Sequence, residues 1–356
     1  IKPSIFLAVP RVWERFQSGL LNKINESDKK DLALKAIDNG LERVEYEQRG
    51  ETPPLGVRIK DAVFKRLVFE RSFKEGLGLS NTEIFATAAA PMNPEVHKWF
   101  HAIHIDVTEI YGMTEDTGPA TIGIPNHAIN YVESMFKSNN VPIPEVLNPI
   151  GKVGIPLAGT EVKVLDDGEL CIKGKHVAKG YYKLDDETKE TFDSNGWLHT
   201  GDLAEIDDNG YVKIVGRKKE ILITSGGKNI APVEIEDHVK PHTLVGQICI
   251  VGDGKKFLSA LIVLDGDGGA EKWAEENGVE YNISDMSKNS KVIDAIQEQI
   301  DEANSKVARV QQIKKFILLE NEWTDSSGEL TPTLKLKRNV IAERYKNEIE
   351  SMYEEA

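Results

Sequence analysis

The sequence predicts an α/β protein. A parallel-sheet α/β portion with a small antiparallel β subdomain is followed by a separate α+β C-terminal domain. Helical and strand-like hydrophobic patterns alternate up to about residue 150, which is typical of a parallel sheet with crossover helices. From Gly151 short strand-like runs follow each other across Gly-containing turns, and after Gly216 strands and helices mix again. These changes predict domains at residues 1–150, 151–217 and 218–356.

The first portion begins with a helix and contains two buried strands. Apolar residues four apart predict a helix over residues 10–24, and apolar runs predict strands over residues 84–90 and 103–110. The first of these strands ends in small residues, and the second leads directly into Tyr111 and Gly112. Because ligands bind outside the carboxyl ends of parallel strands, both ends are candidate binding segments.

Two hairpins and a mixed domain complete the predicted order of elements. Residues 162–172 form a hairpin across Asp166–Gly168, and residues 203–215 form another across Asp208–Gly210. Beyond them we expect a strand at 221–224, a helix opened by Pro232, two strands joined across Asp253–Gly254, a charged helix at 291–307, a strand at 316–319 and an amphipathic helix from Lys337.

Composition limits the classes of function. A chain of 356 residues can hold two or three domains, and a net charge of −14 argues against a nucleic-acid partner. No apolar run approaches the ~20 residues that span a bilayer, and no segment is distinctive as an interfacial anchor. Cys171 and Cys249 lie in strand-like runs without metal-ligand spacing, as core residues of a cytoplasmic protein do. Peripheral membrane contact and oligomeric state are left open.

Four motifs occur in order along the chain. They are YGMTE at 111–115, GWLHTGD at 196–202, GRKKEILITSGGKNIAPVEIE at 216–236 and LTPTLKLKR at 330–338. Together they resemble the adenylate-forming superfamily, and the match is closest to long-chain fatty acyl-CoA synthetases, partly because of FLAVPRVWERF at 6–16. The resemblance implies that a fatty acid and ATP give acyl-adenylate and pyrophosphate, and that CoA then gives acyl-CoA and AMP. The implied small molecules are fatty acid, ATP or AMP, Mg²⁺ and CoA.

The resemblance implies an adenine and phosphate site at the two strand ends. There, the aromatic face of Tyr111 stacks on adenine, Thr114 binds a phosphate oxygen, and Glu115 holds Mg²⁺, a cation that prefers oxygen ligands. The rest of this site is the backbone of Gly112, Met113, Ala89, Ala90 and Pro91. Alanine stands at two places in this last segment where the family usually has glycine, so the backbone approach to the ligand is less close.

Three further side chains are implied to bind the reacting groups. Asp202 resembles the ribose ligand, since a carboxylate accepts hydrogen bonds from both hydroxyls, and Arg217 resembles its partner. Lys335 matches the lysine that reaches the substrate carboxylate and the α-phosphate. We interpret the neighbouring basic residues as a solvated helix face; they are Lys337, Arg338 and Arg344.

The acyl-transfer step is implied to use a glycine loop and a hinge. Gly226, Gly227 and Lys228 match the loop that lines the pantetheine tunnel after the C-terminal domain rotates, and Lys219 matches the hinge.

A separate cluster of histidines, His97, His101 and His104, includes a pair four apart, a spacing that can bind zinc. No third ligand with suitable spacing is evident, so we interpret these histidines as core residues.

The family's phosphate-cradling loop, rich in Ser, Thr and Gly and ending in Lys, does not precede residues 6–16, and the chain begins with Ile1. We therefore expect this sequence to be the C-terminal part of a longer enzyme. Two alternatives stay open: an acyl-AMP ligase that loads a carrier protein, and an inactive nucleotide-binding fragment. The length of the acyl chain is also left open.

Overall fold

The computed structural model describes residues 2–128, 144–266 and 268–354. The chain divides into two compact units. The first comprises Ile1–Thr200 with Ala204–Ile214, and the second comprises Gly201–Leu203 with Val215–Ala356. Each unit is described by itself. The three domain ranges that the sequence suggests stay a prediction.

The first unit contains a five-stranded sheet and its flanking helices. The sheet order is β1 (Ile5–Ala8), β2 (Ile84–Thr87), β3 (Val107–Met113), β4 (Gly118–Ile122) and β5 (Ile155–Pro156). The β1–β2 and β2–β3 pairs are parallel, and the β3–β4 and β4–β5 pairs are antiparallel. The helices are α1 (Pro10–Asn25), α2 (Lys30–Gln48), α3 (Leu55–Phe64), continued by a π-helix at Lys65–Phe73, α4 (Lys74–Gly76) and α5 (Pro94–Ala102).

Trp13 links α1 to the sheet. Its side chain is completely buried, and its ring meets that of Phe100 edge-on with centroids 5.0 Å apart. Its indole Nε1 donates a hydrogen bond to the carbonyl oxygen of Ala86, 3.3 Å away. Because an indole N–H is costly to bury without a partner, this bond fixes α1 against β2 just before the small-residue segment begins.

Two predicted strand boundaries were wrong. The strand expected at residues 103–110 is β3, which begins at Val107 and runs to Met113, because His104 adopts a positive φ of 61° that turns the chain after α5. Ile103 and Ile105 are buried in that turn, and this explains their strand-like pattern. The strand expected at 84–90 ends at Thr87, two residues before Ala89 adopts a φ of 77°.

A four-stranded sheet follows in the order β6 (Thr160–Val164), β7 (Glu169–Gly174), β8 (Leu198–Ile206) and β9 (Val212–Arg217), with α6 (Asp185–Thr191) before β8. The two predicted hairpins are confirmed. β6 and β7 are antiparallel, and Gly168 turns between them with a φ of 86°. Gly210, with a φ of 82°, lies in the turn between β8 and β9.

The second unit contains a two-stranded and a three-stranded sheet. The first joins β10 (Leu222–Ile223) to β11 (Asn229–Ile230), and the second has the order β12 (Val245–Val251), β13 (Leu258–Leu264) and β14 (Ile313–Leu319). The helices are α7 (Pro232–Val239), α8 (Gly269–Asn277), α9 (Ile283–Met286), α10 (Ser290–Ser305), α11 (Arg338–Arg344) and α12 (Lys346–Glu354). All seven residues of β13 are buried, so this strand is the centre of the unit.

The mixture of parallel and antiparallel sheets with a C-terminal α+β region confirms the predicted fold class. The amphipathic helix expected from Lys337 is two helices, which meet at Tyr345, and β14 begins three residues before the strand expected at 316–319. Within the described ranges, no helix combines the length and the apolar character needed to cross a bilayer.

Candidate nucleotide and acyl-transfer site

The small-residue segment after β2 is a strained and exposed turn. Ala89, Ala90 and Pro91 are all exposed, and Ala89 has a left-handed backbone conformation. The backbone N–H of Met92 donates to Oε2 of Glu109, 3.2 Å away. Glu109 is only 3% exposed, so a buried carboxylate on β3 holds the end of this segment. Glu109 lies inside a run that the sequence predicts as a buried strand, so its hydrogen bond to Met92 could not be recognised from the sequence.

The end of β3 carries the second predicted segment. Tyr111 is half-buried and packs against an apolar cluster that includes Leu170 and Val212 of the four-stranded sheet. A Cβ at Gly112 would collide with the backbone carbonyl of Gly118 on β4, so this position requires glycine. Since Thr87 and Glu109 are partners in the parallel β2–β3 register, the two segments leave neighbouring strands of one sheet.

Asp116, which the sequence analysis did not single out, shapes the turn between β3 and β4. It is 1% exposed, and its Oδ1 accepts hydrogen bonds from the backbone N–H groups of Met113 at 3.0 Å and Gly118 at 3.2 Å. Burial raises the pKa of its carboxyl group, against the effect of these two bonds. Asp three residues after the end of a strand is a recognisable turn signal, so it could have been found.

Glu115 is half-buried beside the exposed Thr114. The Tyr181 hydroxyl donates to Glu115 Oε1 at 2.6 Å, and the Ala178 N–H donates to the Glu115 backbone carbonyl at 2.7 Å. The bond to Glu115 raises the pKa of Tyr181. The hydroxyl of Tyr181 thus fixes the direction of the Glu115 carboxylate. Nothing in the sequence near residue 115 indicated this partner, which lies 66 residues away.

Glu115 suits the way in which proteins bind Mg²⁺ in nucleotide sites. Magnesium keeps several waters and takes one or two carboxylates together with substrate phosphates. One oriented carboxylate beside a threonine hydroxyl fits that pattern. No group of three or more His, Cys, Asp or Glu side chains that could hold a metal occurs among the described residues.

Asp202 and Arg217 form an ion pair in the second unit. Arg217 Nε lies 3.0 Å from Asp202 Oδ1, with the Asp202 side chain 6% exposed and the Arg217 side chain 55% exposed. A buried carboxylate with an exposed guanidinium partner leaves the arginine accessible to a phosphate or a hydroxyl. The two residues are therefore paired with each other in the structure, and their contact with a ribose stays a prediction.

Lys335 lies in a closed turn of the same unit. Its N–H donates to Thr331 Oγ1 at 3.0 Å, its carbonyl oxygen accepts from the Thr331 N–H at 2.8 Å, and Leu334 has a φ of 60°. Partial burial of the ammonium group lowers the pKa of Lys335, and Arg217 lowers it further. Asp202 and Glu220 act in the opposite direction, since negative charge favours the ammonium form. Asp202, Arg217 and Lys335 therefore form one electrostatic cluster, in which the paired Asp202 and Arg217 act in opposite directions on the Lys335 ammonium group.

The interpretation of the basic run as a solvated helix face was wrong for Arg338, whereas Lys337 and Arg344 are exposed to solvent. Arg338 makes a bidentate ion pair with Glu236, at 2.7 and 2.8 Å, and its side chain is 14% exposed. Arg344 is ion-paired with Glu329, whose side chain is 3% exposed. Glu236 lies 102 positions from Arg338, and Glu329 lies 15 positions from Arg344. The run of basic residues by itself therefore could not indicate these partners.

The predicted CoA loop connects β10 and β11. Gly226, Gly227 and Lys228 are exposed, and Gly227 turns the chain with a φ of 75°. Thr224 closes the loop: its carbonyl oxygen accepts from the Gly227 N–H at 2.8 Å, and its N–H donates to the Lys228 carbonyl oxygen at 3.1 Å. The predicted hinge residue, Lys219, is exposed in the 3₁₀ turn Lys218–Glu220.

The histidine cluster belongs to the interior of the first unit. The Nε2 atoms of His97 and His101 lie 2.6 and 3.2 Å from the carbonyl oxygen of Val107, and burial, together with His97, lowers the pKa of His101 to about 4. His104 Nε2 lies 3.1 Å from Asp61 Oδ1. Cys171 and Cys249 are both buried as free thiols. His97 and His101 therefore pack between α5 and β3, in agreement with their interpretation as core residues, whereas the half-buried His104 contacts α3.

Comparison with known proteins decides the family. The AMP-binding enzyme family matches residues 1–182, and its C-terminal domain family matches residues 219–356. The chain belongs to the AMP-binding enzyme family. The resemblance to adenylate-forming acyl-CoA synthetases is thereby confirmed.

Curated relatives in this family are named as long-chain fatty acid ligases. The chain is 34% identical to "Long-chain-fatty-acid--CoA ligase FadD15" of Mycobacterium bovis, over 99% of this chain and 55% of the relative. It is also 34% identical to "Long-chain-fatty-acid--CoA ligase ACSBG2" of Xenopus laevis, over 100% of this chain and 48% of the relative. The chain spans about half of the length of these relatives.

Solved structures share the fold. The adenylation domain of a carboxylate reductase from Mycobacterium chelonae superposes with a TM-score of 0.64 at 20% identity, covering 99% of this chain and 46% of that one. o-Succinylbenzoate CoA synthetase from Bacillus subtilis, in complex with its acyl-adenylate intermediate, gives a TM-score of 0.52 at 22% identity, covering 73% of this chain and 46% of that one. Both are similar to this chain in fold.

Proposed function

We propose that the chain carries the nucleotide and acyl-transfer elements of an AMP-forming long-chain fatty acid–CoA ligase. The single observation that supports this most is the cluster of Asp202, Arg217 and Lys335, three residues from separate family motifs that act on one another electrostatically. The names of the relatives support the long-chain acid and CoA as substrates.

In the proposed first step, a carboxylate oxygen of the fatty acid attacks the α-phosphorus of ATP, and pyrophosphate leaves. Asp202 accepts hydrogen bonds from the ribose hydroxyls, and Arg217 contacts the same sugar. Lys335 supplies positive charge between the acid and the α-phosphate. Fixed charge at the centre where negative charge develops is usually the largest contribution to catalysis.

The first unit is proposed to bind adenine and the metal. Tyr111 stacks on the base, and the backbone of Gly112, Met113 and the segment Ala89, Ala90 and Pro91 lines its edge. Thr114 binds a phosphate oxygen, and Glu115, oriented by Tyr181, binds Mg²⁺. When bound, Mg²⁺ neutralises phosphate charge during pyrophosphate departure.

In the proposed second step, the CoA sulfur attacks the acyl carbonyl carbon, AMP leaves, and the thiol proton passes to solvent. Gly226, Gly227 and Lys228 line the path of the pantetheine, because two exposed glycines allow close passage of a thin chain. Lys219 is the hinge about which the chain beyond it rotates between the two steps, so that this loop replaces Lys335 at the active site. The reaction is proposed to occur in the cytoplasm.

Product analysis tests this proposal. A protein of the relatives' full length that contains this chain is given ATP, Mg²⁺ and fatty acids of increasing length, with either CoA or a phosphopantetheinylated carrier protein. We expect AMP, pyrophosphate and acyl-CoA, with most product from long acids. Acylated carrier without acyl-CoA would support the acyl-AMP ligase instead, and AMP binding without any product would support an inactive nucleotide-binding fragment.

A further inference from the structure

Arg338 is paired with two carboxylates of the second unit. Its Nη1 and Nη2 donate to the two carboxylate oxygens of Glu236, and its Nε donates to Glu220 Oε2 at 2.9 Å. Glu236 is 1% exposed, and the backbone N–H of Ile250 donates to its Oε1 at 2.9 Å. A planar guanidinium in such a fork fixes direction as well as charge, which a lysine ammonium would not do.

The three partners of this network belong to separate parts of the unit. Glu236 lies on α7 and is anchored to β12 through Ile250. Glu220 ends the 3₁₀ turn Lys218–Glu220, directly after Arg217 in β9. Arg338 begins α11, three residues after Lys335. The Arg338 guanidinium therefore binds both Glu220, which follows Arg217 in the chain, and the buried Glu236. In this way it connects the segment that follows Lys335 to the segment that follows Arg217.

The charge of Glu220 also favours the ammonium form of Lys335. Glu220 is one of the two carboxylates that act in this direction, the other being Asp202. Its side chain is 30% exposed, against 1% for Glu236, so the bond of Arg338 to Glu220 is the more accessible part of the network. The Lys335 turn itself is largely exposed, while Leu330 and Leu336 at its two ends bridge to each other and pack in the apolar core. The core therefore holds the ends of the turn, and the bond between Arg338 and Glu220 is a further link from the turn towards Arg217.

We propose that Arg338 is a positioning residue for Lys335. By binding Glu236 and Glu220 together, it holds the Lys335 turn against the Asp202–Arg217 pair. Glu220 is the second residue of this arrangement. It accepts a hydrogen bond from Arg338 Nε, and its negative charge favours the ammonium form of Lys335. The catalytic significance of this arrangement rests on the proposed function, in which Lys335 contacts the α-phosphate.

The positioning can be measured without catalysis. Competitive acetylation of this chain at a series of pH values, with mass spectrometry of the peptide that contains Lys335, gives the pKa of that side chain. We expect Arg338→Lys to raise the Lys335 pKa, because the released turn moves into solvent and away from Arg217. We expect Glu220→Gln to lower it, because a stabilising negative charge is lost. Lys337→Ala, an exposed neighbour, is the control and should leave it unchanged.

Folding of each variant is checked by thermal unfolding. An unchanged Lys335 pKa in a folded Arg338→Lys protein would overturn the proposal. If Arg338→Lys does not fold, Glu220→Ala is compared with Glu220→Gln: both lose the charge, but only the alanine variant loses the acceptor of the Arg338 Nε–H, so its Lys335 pKa should be the higher of the two. Equal Lys335 pKa values in the two folded variants would equally overturn the proposal.

Kinetics then separate positioning from general stability. In a protein of the relatives' full length, Arg338→Lys should slow acyl-adenylate formation on the order of 10–100-fold, as expected for a displaced catalytic group, with little change in KM for ATP. Thioester formation from supplied acyl-adenylate should fall much less. Equal losses in both steps would overturn the positioning role. If the unsubstituted protein forms no acyl-adenylate, the proposed function fails, whereas the acetylation result still decides whether Arg338 positions Lys335.

Discussion

Ala89 has a backbone conformation that favours glycine. Its φ of 77° is one of five positive values among the described non-glycine residues. The adenylate-forming family usually has glycine at two places in this segment, and at one of them Ala89 adopts the left-handed backbone conformation. Alanine in that region costs about 1–2 kcal/mol because its Cβ approaches the following carbonyl oxygen. The strain lies beside the proposed adenine site.

Ala89→Gly should therefore stabilise the protein. The gain from relieved strain, less the conformational entropy that glycine adds to the unfolded chain, leaves about 0.5–1 kcal/mol. Ala90, whose φ is not positive, is a matched control, and Ala90→Gly should lower the stability by about 0.5–1 kcal/mol. Urea unfolding of both variants measures the difference. A loss of stability in both would show that Ala89 is not strained.

Lys335 is the residue on which the proposed chemistry depends most. Lys335→Ala should lower the rate of acyl-adenylate formation by ~10²–10³, the usual cost of removing one preorganised electrostatic group. The reaction of supplied acyl-adenylate with CoA should be much less affected, since its chemistry is thiol attack on a formed anhydride. Rapid-quench assays of the two half-reactions provide the measurement. Equal losses in both would indicate a structural role for Lys335.

At the scale of elements, the 3₁₀ turn Lys218–Glu220 joins β9 to the strands and helices that follow it. Lys335 and the Gly226–Gly227 loop both lie beyond this turn in sequence, over a hundred residues apart. A rotation about one backbone position can exchange the two in a single active site. Lys219, the predicted hinge, is exposed and lies in the middle of the turn.

Lys219→Pro tests that rotation. Proline holds φ near about −65° and removes a backbone donor. We expect acyl-adenylate formation to persist while thioester formation stalls, provided that the adenylation arrangement accepts this φ. Lys219→Ala removes only the side chain and should affect neither step. An unchanged rate of thioester formation in Lys219→Pro would rule out the pivot.

At the scale of the whole molecule, the second unit depends on a buried charge network. Burial by itself would raise the pKa of Glu236, but the charge and hydrogen bonds of Arg338 outweigh it and hold that pKa below its ordinary value. Breaking a buried ion pair by removing one partner costs about 3–5 kcal/mol, because the other charge stays buried. The ionised form of Glu236 is therefore part of the folded state.

Acid should weaken this network in a defined direction. A carboxyl whose pKa is lowered by folding contributes stability that is present above its unfolded value, about 4.3 for Glu, and is lost as the pH falls from there through the folded value. Glu236→Gln should lower stability at neutral pH by about 3–5 kcal/mol and flatten the decline in acid. Glu234→Gln, exposed on the same helix, is the control. A decline in acid as steep as that of the unsubstituted protein would contradict this role.

The sequence by itself was sufficient for the fold class, the family and the two hairpins. Periodicity and turn residues act over a few neighbouring positions, so Gly168 and Gly210 could be recognised from local pattern. Boundaries that depend on a single residue's φ, such as the turn at His104, could not be predicted, because packing selects a conformation that histidine alone does not require. Only the tertiary structure decided which charges meet. The contacts Tyr181–Glu115, Glu109–Met92 and Arg338–Glu236 join residues 66, 17 and 102 positions apart, and a buried charge acquires its partner only when the chain has folded.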